Sequence, residues 1–350
     1  MYITIALIAF LLAVAYFVAR RFCLQRVEYR RYFSEEGVFE GETVLLVEEI
    51  VNRSFLPLTM VDVDTFLSND LQLEDSTAAA TSGMQHFTSR FNLAPFMQVR
   101  RSITLICKKR GYYQPETVNI NGLLRDAAAI LYVYPKALPY EQSSALESEM
   151  QNTSHVNRRL LQDPFSFAGI RDYRYGDAFR CINYKATAKT GALKVNNQDY
   201  FSSRNIMIYI DFGQTSPLPL STKAYSALME RALRYSADMV WHSIQQGYSV
   251  GFAANCNAQK RANHIRFPMG RGHSHYIEIL KEMAVIRMSE SCSFSWLLRQ
   301  DIDILWNIDI YIMTANLSQD LDVFADIHAS RGSNVTILAL EVEDDTDDLA

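Results

Sequence analysis

Cysteine is scarce in this chain, and what there is does not form pairs. Cys23, Cys107, Cys181, Cys256 and Cys292 are odd in number, widely spaced and free of any CxxC step. Such spacing supports neither a disulfide framework nor a zinc site, and it fits a reducing compartment. Positive charge is not in excess either: the formal net charge is −5, which argues against general nucleic-acid binding, where a basic domain is the rule. Also missing are the GxxxxGK[ST] loop, the GxSxG elbow, HExxH and GxGxxG. Their absence leaves no nucleophile, no general base and no small-molecule substrate to name, and by itself decides nothing about catalysis.

One more absence is local and the most informative. From Tyr2 to Ala19, "YITIALIAFLLAVAYFVA", there is no charge across 18 residues. A helix of that length covers about 27 Å, close to the hydrocarbon thickness of a bilayer. Nothing basic precedes the run, whereas Arg20, Arg21, Arg26, Arg30 and Arg31 come after it. A secretory signal carries its charge in the opposite order. The arginines place the downstream side in the cytoplasm by the positive-inside rule. The expectation is a single-pass helix over residues 2–19 in the cytoplasmic (inner) membrane, its N-terminus outside and the bulk of the protein cytoplasmic.

Beyond the arginines the chain is patterned in two ways. Residues 27–140 alternate apolar and polar side chains between turn signals at Gly41, Asn52–Pro57 and Arg110–Gly111, which predicts an antiparallel β-sandwich. Asp75–Gln85, rich in Ser, Thr and Ala, reads as a loop. Residues 141–203 begin as a polar linker. From residue 204 to 343 short apolar strands alternate with helical runs. "RNIMIYIDF" is a strand ending in Asp211, a helix comes next over Thr222–Gln246, and "YSVGFAANC" is a second strand. A helix over His275–Met288, the strand "NIDIYIMTAN", a helix over Leu317–Ala329 and the strand "NVTILALE" complete the run. This alternation predicts a parallel sheet covered on both faces, a Rossmann-like α/β domain. The acidic tail over 344–350 reads as a solubilising end.

In open α/β sheets ligands sit beyond the carboxyl ends of strands, so Asp211 is the first candidate. The segment Asp211-Phe-Gly-Gln-Thr215 resembles the metal loop of von Willebrand factor A domains, Asp-x-Ser-x-Ser. Asp211 matches the first ligand and Thr215 stands for the second serine. Gly213 brings no oxygen, and Ala315 comes after Thr314 where those domains place a further aspartate. A divalent cation there needs hard oxygen ligands, so a degenerate site is expected here, with no cofactor unless it holds magnesium. His273-x-His275 offers two imidazoles without a third ligand and reads as a loop feeding a helix. His242 reads as a packing residue. The Asp301 and Asp303 carboxylates read as a solvated face.

The segment "GIRDYRYGDAFRCINYKATAKTGALKV", residues 169–195, carries the second candidate set. Between Arg158 and Lys194 eight basic residues stand against three acidic ones, interleaved with aromatic rings. Three uses fit that composition. The rings and bases suit phosphate contact with base stacking, or an arginine-rich face for an acidic protein partner. Alternatively Gly176-Asp177 is a tight turn, Arg171 pairs internally with Asp177 or Asp172, and the tyrosine rings pack.

This segment resembles the signature of the DUF58 family, a domain of unknown function, roughly R-x-Y-x-x-G-D-x-x-R-x-I-x-W and then a basic Gly-x-Leu run. Arg171, Tyr173, Gly176, Asp177, Arg180 and Ile182 match it, Tyr184 stands for the tryptophan and Lys189 for an arginine. The resemblance implies a von Willebrand A-like domain after residue 204 and extends upstream to the apolar helix, where many members have two. It also implies a non-enzymatic role beside MoxR-type AAA+ ATPases, as an adaptor or chaperone-like component in the assembly of other complexes, with no catalytic residue. Arg171, Tyr173, Gly176, Asp177, Arg180, Tyr184, Lys185 and Lys189 are then candidate partner-binding residues, with Arg171 paired to Asp177 and the lysines exposed. Metal-dependent ligand binding through Asp211 and Thr215 stands as the alternative, and nucleic-acid binding as a third.

Overall fold

The computed structural model describes residues 2–73, 80–81, 84–115, 117–120, 123–139, 142, 161–174, 179, 182–201, 205–213, 221–258, 264–306 and 308–340. Two compact units result. One holds Met1–Leu138 with Ala258–Lys260 and Ile277–Arg287, the other Pro139–Asn257 with Arg261–Tyr276 and Met288–Ala350.

The apolar run is a helix, α1 (Tyr2–Gln25), longer than the expected 2–19 because Arg20 and Arg21 continue it to Gln25. It is long and apolar enough to cross a membrane, and no residue of its apolar window is buried in the protein. Its last turn is different. Cys23 is buried and packs with Val27, Ile50, Leu58, Val61 and Phe91.

After α1 the chain forms β1 (Val27–Phe33), β2 (Gly37–Phe39), β3 (Thr43–Asn52), β4 (Leu58–Ser68), β5 (Leu71–Leu73) and β6 (Ala80–Thr81). Then come β7 (Met84–Leu93), β8 (Gln98–Cys107), β9 (Gly111–Tyr113), β10 (Thr117–Ile120), β11 (Leu123–Asp126) and β12 (Leu131–Tyr134). They form sheets in the orders β1-β3-β8-β5, β11-β10-β4-β7-β6 and β2-β12-β9. All pairings are antiparallel except β2 with β12. The alternation is literal in β3: Val44, Leu46, Ile50 and Asn52 are buried while Thr43 and Leu45 are exposed. Ile50 meets Val63, Phe91 and Val118 of the second sheet in one apolar cluster. Leu46 and Leu105 meet Leu131 and Val133 in another. The period of two therefore puts one face of each strand into shared core. Where a loop was expected over Asp75–Gln85, Ala80 and Thr81 pair with β7. Two residues of strand are too short to give a periodic signal.

From Leu161 onward the chain forms β13 (Leu161–Asp172), α2 (Tyr184–Thr190), β14 (Lys194–Phe201), β15 (Asn205–Ile210) and α3 (Thr222–Gln245). Next are β16 (Ser249–Ala254), β17 (Cys256–Ala258), β18 (Ile265–Gly270), α4 (His273–Val285), β19 (Ile286–Glu290) and α5 (Phe294–Asp301). The chain closes with β20 (Asp309–Thr314), α6 (Gln319–Ser330) and β21 (Asn334–Ala339). The main sheet runs β18-β16-β15-β20-β21. Its four inner and far strands are parallel, but β18 is antiparallel to β16, so the sheet is mixed rather than all-parallel. Pro268 and Gly270 within "IRFPMG" hid β18, since both residues weaken a strand pattern and are tolerated at an edge. The expected helix over His275–Met288 stops at Val285, and β19 takes up the remainder. The expected linker over 141–203 contains the β13–β14 hairpin. The tail beyond Leu340 lies outside the described residues.

The sheet is covered on two faces. Ile206, Ile208 and Ile210 are fully buried on the opposite side from Met207 and Tyr209, which pack with Phe294 and Leu298 of α5 and Phe324 of α6. Helix α3 buries Tyr225, Leu228, Met229, Ala232, Leu233 and Val240 at helical spacing. Its Ser221 cap accepts from the Ala224 amide at 3.2 Å.

Candidate functional site

The chain leaves β15 toward β16 on one side, whereas β20 on the other side continues to β21. The carboxyl ends of β15 and β20 thus flank the switch point of the sheet, where ligands of open α/β folds are bound. Three polar side chains converge there, all buried: Asp211 just past β15, Asn255 just past β16, and Thr314 at the end of β20. Asp211 Oδ1 accepts from the Gly213 amide at 2.8 Å and from Asn255 Nδ2 at 2.9 Å. Its Oδ2 accepts from Thr314 Oγ1 at 2.9 Å. Asn255 Oδ1 in turn accepts from the Phe212 amide at 2.7 Å, and Thr314 Oγ1 accepts from the Asn316 amide at 2.9 Å. Tyr225 of α3 closes the set, its hydroxyl donating to Phe212 O at 2.7 Å.

Burial pushes the Asp211 carboxyl up, and the three hydrogen bonds to it pull in the other direction. The carboxylate is therefore occupied by donors that belong to the protein. A cation would have to displace them, and the neighbouring positions offer little in exchange. Gly213 has no side-chain oxygen, and a Cβ placed there would lie 3.0 Å from Asp211 Oδ1. Thr314 gives its hydroxyl proton to Asp211, and Ala315 has none to give. Among the described residues no group of three or more His, Cys, Asp or Glu side chains is placed to hold a metal. The described donor set does not fit a hard-cation site. Thr215 lies outside the described residues.

Asn255 is the residue that sequence reasoning missed. Within "GFAANC" it carries no motif, and its role appears only when β16 is set beside β15 in parallel register, Ile210 against Ala254.

The two histidines of the His273-x-His275 pair begin α4 instead of lying in a loop. His275 Nε2 donates to Val250 O at 2.7 Å and its ring lies 5.1 Å from that of Phe267. His273 faces Trp241. Neither is arranged as a ligand pair. His242 lies 3.4 Å from Asp238 one turn earlier in α3. Asp301, expected on a solvated face, is fully buried: it accepts from the Tyr209 hydroxyl at 2.5 Å and lies 2.7 Å from Arg266 Nη2. Asp303 stays near solvent and meets Arg331 at 3.3 Å. Of the cysteines, Cys23, Cys107, Cys256 and Cys292 are in no disulfide, and burial pushes Cys107 up to about 12. Cys181 lies outside the described residues.

The second candidate segment folds as a hairpin around a short helix. β13 and β14 pair with Arg171 opposite Val195 and Asp172 opposite Lys194. Asn183 caps α2, its side chain accepting from the Ala186 amide at 2.9 Å. Gly191 ends the helix at φ 72°, the left-handed conformation that favours glycine, with its amide on Thr187 O. Thr187 Oγ1 accepts from the Lys194 amide, the Asn183 amide donates to Lys194 O, and Lys194 Nζ reaches Asp172 at 2.6 Å. Ile182 is buried against Val195. Much of the motif thus serves to fold the motif. Arg171 donates to Asp172 O at 3.1 Å. The pair expected with Asp177 lies outside the described residues, as do Gly176 and Arg180. Lys185 and Lys189 are exposed on α2. Tyr173 stacks on Phe179 at 6.4 Å. Phe179 and Tyr184 are each 73% exposed, so the expectation that the tyrosine rings pack inward does not hold for Tyr184.

With hairpin, sheet and switch point in view, the comparisons define the class. Residues 169–349 match the model of DUF58, described as a protein of unknown function, and the chain belongs to that family. Among curated relatives it is similar to the uncharacterized protein YeaD of Bacillus subtilis (strain 168), 21% identical over 179 residues, covering 51% of this chain and 40% of YeaD. The chain thus spans less than half the length of that relative. Solved structures with partial likeness include Spo0M, a sporulation control protein from Bacillus subtilis, 15% identical with a TM-score of 0.23 over 39% of this chain and 58% of that one. Another is the alkylpurine DNA glycosylase AlkC of Pseudomonas fluorescens, 14% identical with a TM-score of 0.24 over 31% and 30%. Likenesses of that size carry no argument about fold or function.

Proposed function

We propose that this chain is a membrane-anchored, non-enzymatic adaptor or chaperone-like protein that works with a MoxR-type AAA+ ATPase on the assembly or activation of other protein complexes. The observation that carries the reading is the state of Asp211. Among the described residues, the carboxylate placed where an α/β sheet binds ligands is consumed by Gly213, Asn255 and Thr314. That spot acts as a structural latch, which suits a rigid platform better than a reaction centre. Strand order β16-β15-β20-β21 with an aspartate after the first strand supports a von Willebrand A-like reading of the second unit. Helix α1 and the arginines after it support an anchor in the inner membrane with the bulk of the chain in the cytoplasm. Exposed Lys185, Lys189 and Tyr184 support an acidic protein surface as the docking partner of α2.

Affinity purification of the tagged full chain from solubilised membranes, with and without nucleotide, tests this. Recovery of an AAA+ ATPase that weakens in a Lys185→Glu/Lys189→Glu variant is expected. Recovery of no such ATPase under either condition sinks the reading.

A further inference from the structure

Among the described residues, two that are not glycine have positive φ: Met60 (53°) and Phe96 (56°). A bulky residue in that region is strained, and glycine would take the same backbone without cost. Both side chains nevertheless point into solvent, Met60 64% and Phe96 71% exposed. They have company. Exposed Met97 lies beside Phe96 on the turn joining β7 to β8, exposed Phe55 lies on the turn joining β3 to β4, and Met60 stands at the register shift near the start of β4.

These turns are braced. Buried Asn52 donates through Nδ2 to Leu56 O of one turn at 2.9 Å and Ala94 O of the other at 3.0 Å. Its Oδ1 accepts from the Ser54 amide and hydroxyl, and the Phe96 amide donates to Ser54 O. The Met60 amide is held by Asn92 Oδ1 at 3.0 Å. Apolar tips are therefore fixed in place instead of being free to fold back on the core.

Their location gives the reason. Val27, where β1 leaves α1, pairs with Asn52, and Gln98 pairs with Val51, so both turns lie at the end of the β unit from which α1 emerges. Arg20 of α1 donates to Thr59 O at 3.0 Å, next to Met60. Arg20 is five residues before the end of α1, about 7–8 Å up its axis, and it comes directly after the uncharged run. Met60 thus stands beside the level at which the apolar helix begins, with exposed Arg21 and Arg26 nearby in the chain. Exposed apolar tips rimmed by arginines mark membrane or protein contact surfaces, and continuity with α1 selects the membrane.

We propose that this end of the β unit seats on the bilayer: Phe55, Met60, Phe96 and Met97 enter the interfacial layer of the membrane that α1 crosses, and the arginines meet anionic headgroups. The proposal rests on reading α1 as a membrane span, and the test separates the two. A photoreactive phenylalanine analogue is placed at Leu11, Phe55, Phe96 or Glu35 in the full chain, reconstituted in phosphatidylethanolamine/phosphatidylglycerol vesicles. Glu35 is exposed at the opposite end of β1. Mass spectrometry is expected to find lipid adducts at 11, 55 and 96, severalfold above those at 35. Adducts at 11 with background at 55 and 96 overturn the seating while keeping the anchor. Background at 11 overturns the anchor and the seating with it. In native membranes, crosslinks from 55 and 96 to a protein instead of lipid also overturn it.

Discussion

Two buried carboxylates, one in each unit, show how the same chemistry is put to different uses. Glu48 sits inside the β unit, fully buried between Leu46 and Ile50, and accepts from Tyr29 (2.7 Å), Ser89 (3.2 Å) and Thr65 (3.3 Å). Asp211 sits at strand ends and accepts from one amide, one carboxamide and one hydroxyl. Both are saturated by neutral donors, which is what a buried charge needs if it is to stay. The environments differ in what the donors connect. Those of Glu48 come from strands of both facing sheets, so the acid pins sheet to sheet, and the buried Arg31 lies opposite it in register. Arg31 spends its own donors on Ala127 O and Pro115 O. Those of Asp211 come from segments at the ends of three neighbouring strands, so the acid ties loops together over a place that would otherwise be open. The lesson is that position in the topology makes an acid a candidate for function, and donor count then decides whether it is available.

Substitutions can break or sharpen this contrast. The largest effect is expected for Glu48→Ala, which strands three hydroxyls and removes the anion that supports Arg31. The loss should be about 3–5 kcal/mol, as for one partner of a buried charged network, read from urea unfolding of the detergent-solubilised chain. Asp211→Ala should cost less, about 1–3 kcal/mol, since it leaves Asn255 and Thr314 without an acceptor but opens no charged pair. A value for Asp211 larger than for Glu48 would reverse the contrast. Tyr29→Phe removes one bond from Glu48 and should cost about 1.5 kcal/mol. The tyrosine is itself held protonated, since burial and then the charge of Glu48 raise it well above its usual value.

The pH dependence has two opposed contributions in the second unit. Burial and then Arg331 hold His328 below its ordinary value, so the unfolded chain takes up the proton first. Stability should therefore fall as pH drops below about 6.5. Asp211 is raised, so the native state binds its proton first, and stability gains as pH falls through that value. Thermal melts of His328→Leu should lose the drop between about pH 6.5 and 5 expected of the parent; an unchanged profile would remove His328 as its source. The smallest effect is expected from metal. Titration with magnesium or manganese should give no heat that Asp211→Ala abolishes, and such heat would mean that the ion displaces the latch.

Local chemistry was legible in the sequence, and chemistry assembled across strands was not. The uncharged run before Arg20 announced α1, period-two alternation announced β3, and an aspartate after "IMIYI" announced the strand end. Apolar residues near helical spacing marked α3 to within a residue. Asn255 was silent because its partners, Asp211 and the Phe212 amide, are over 40 residues away. Asp301 looked like surface because nothing local says that Tyr209 and Arg266 will enclose it. In the hairpin the charged and aromatic residues drew attention, while the fold of the segment depends on Asn183, Thr187 and Gly191, whose capping roles need the helix between them to be seen first.

The latch over the switch point also sets a clock. The amides of Phe212 and Gly213 donate to side chains, Asn255 Oδ1 and Asp211 Oδ1, instead of to a neighbouring strand. Their exchange with deuterium is therefore controlled by the rate at which three side chains let go together, separately from the opening of the sheet whose strands carry them. If a partner's grip on the second unit reaches the strand ends, these two protons are where it would first be timed.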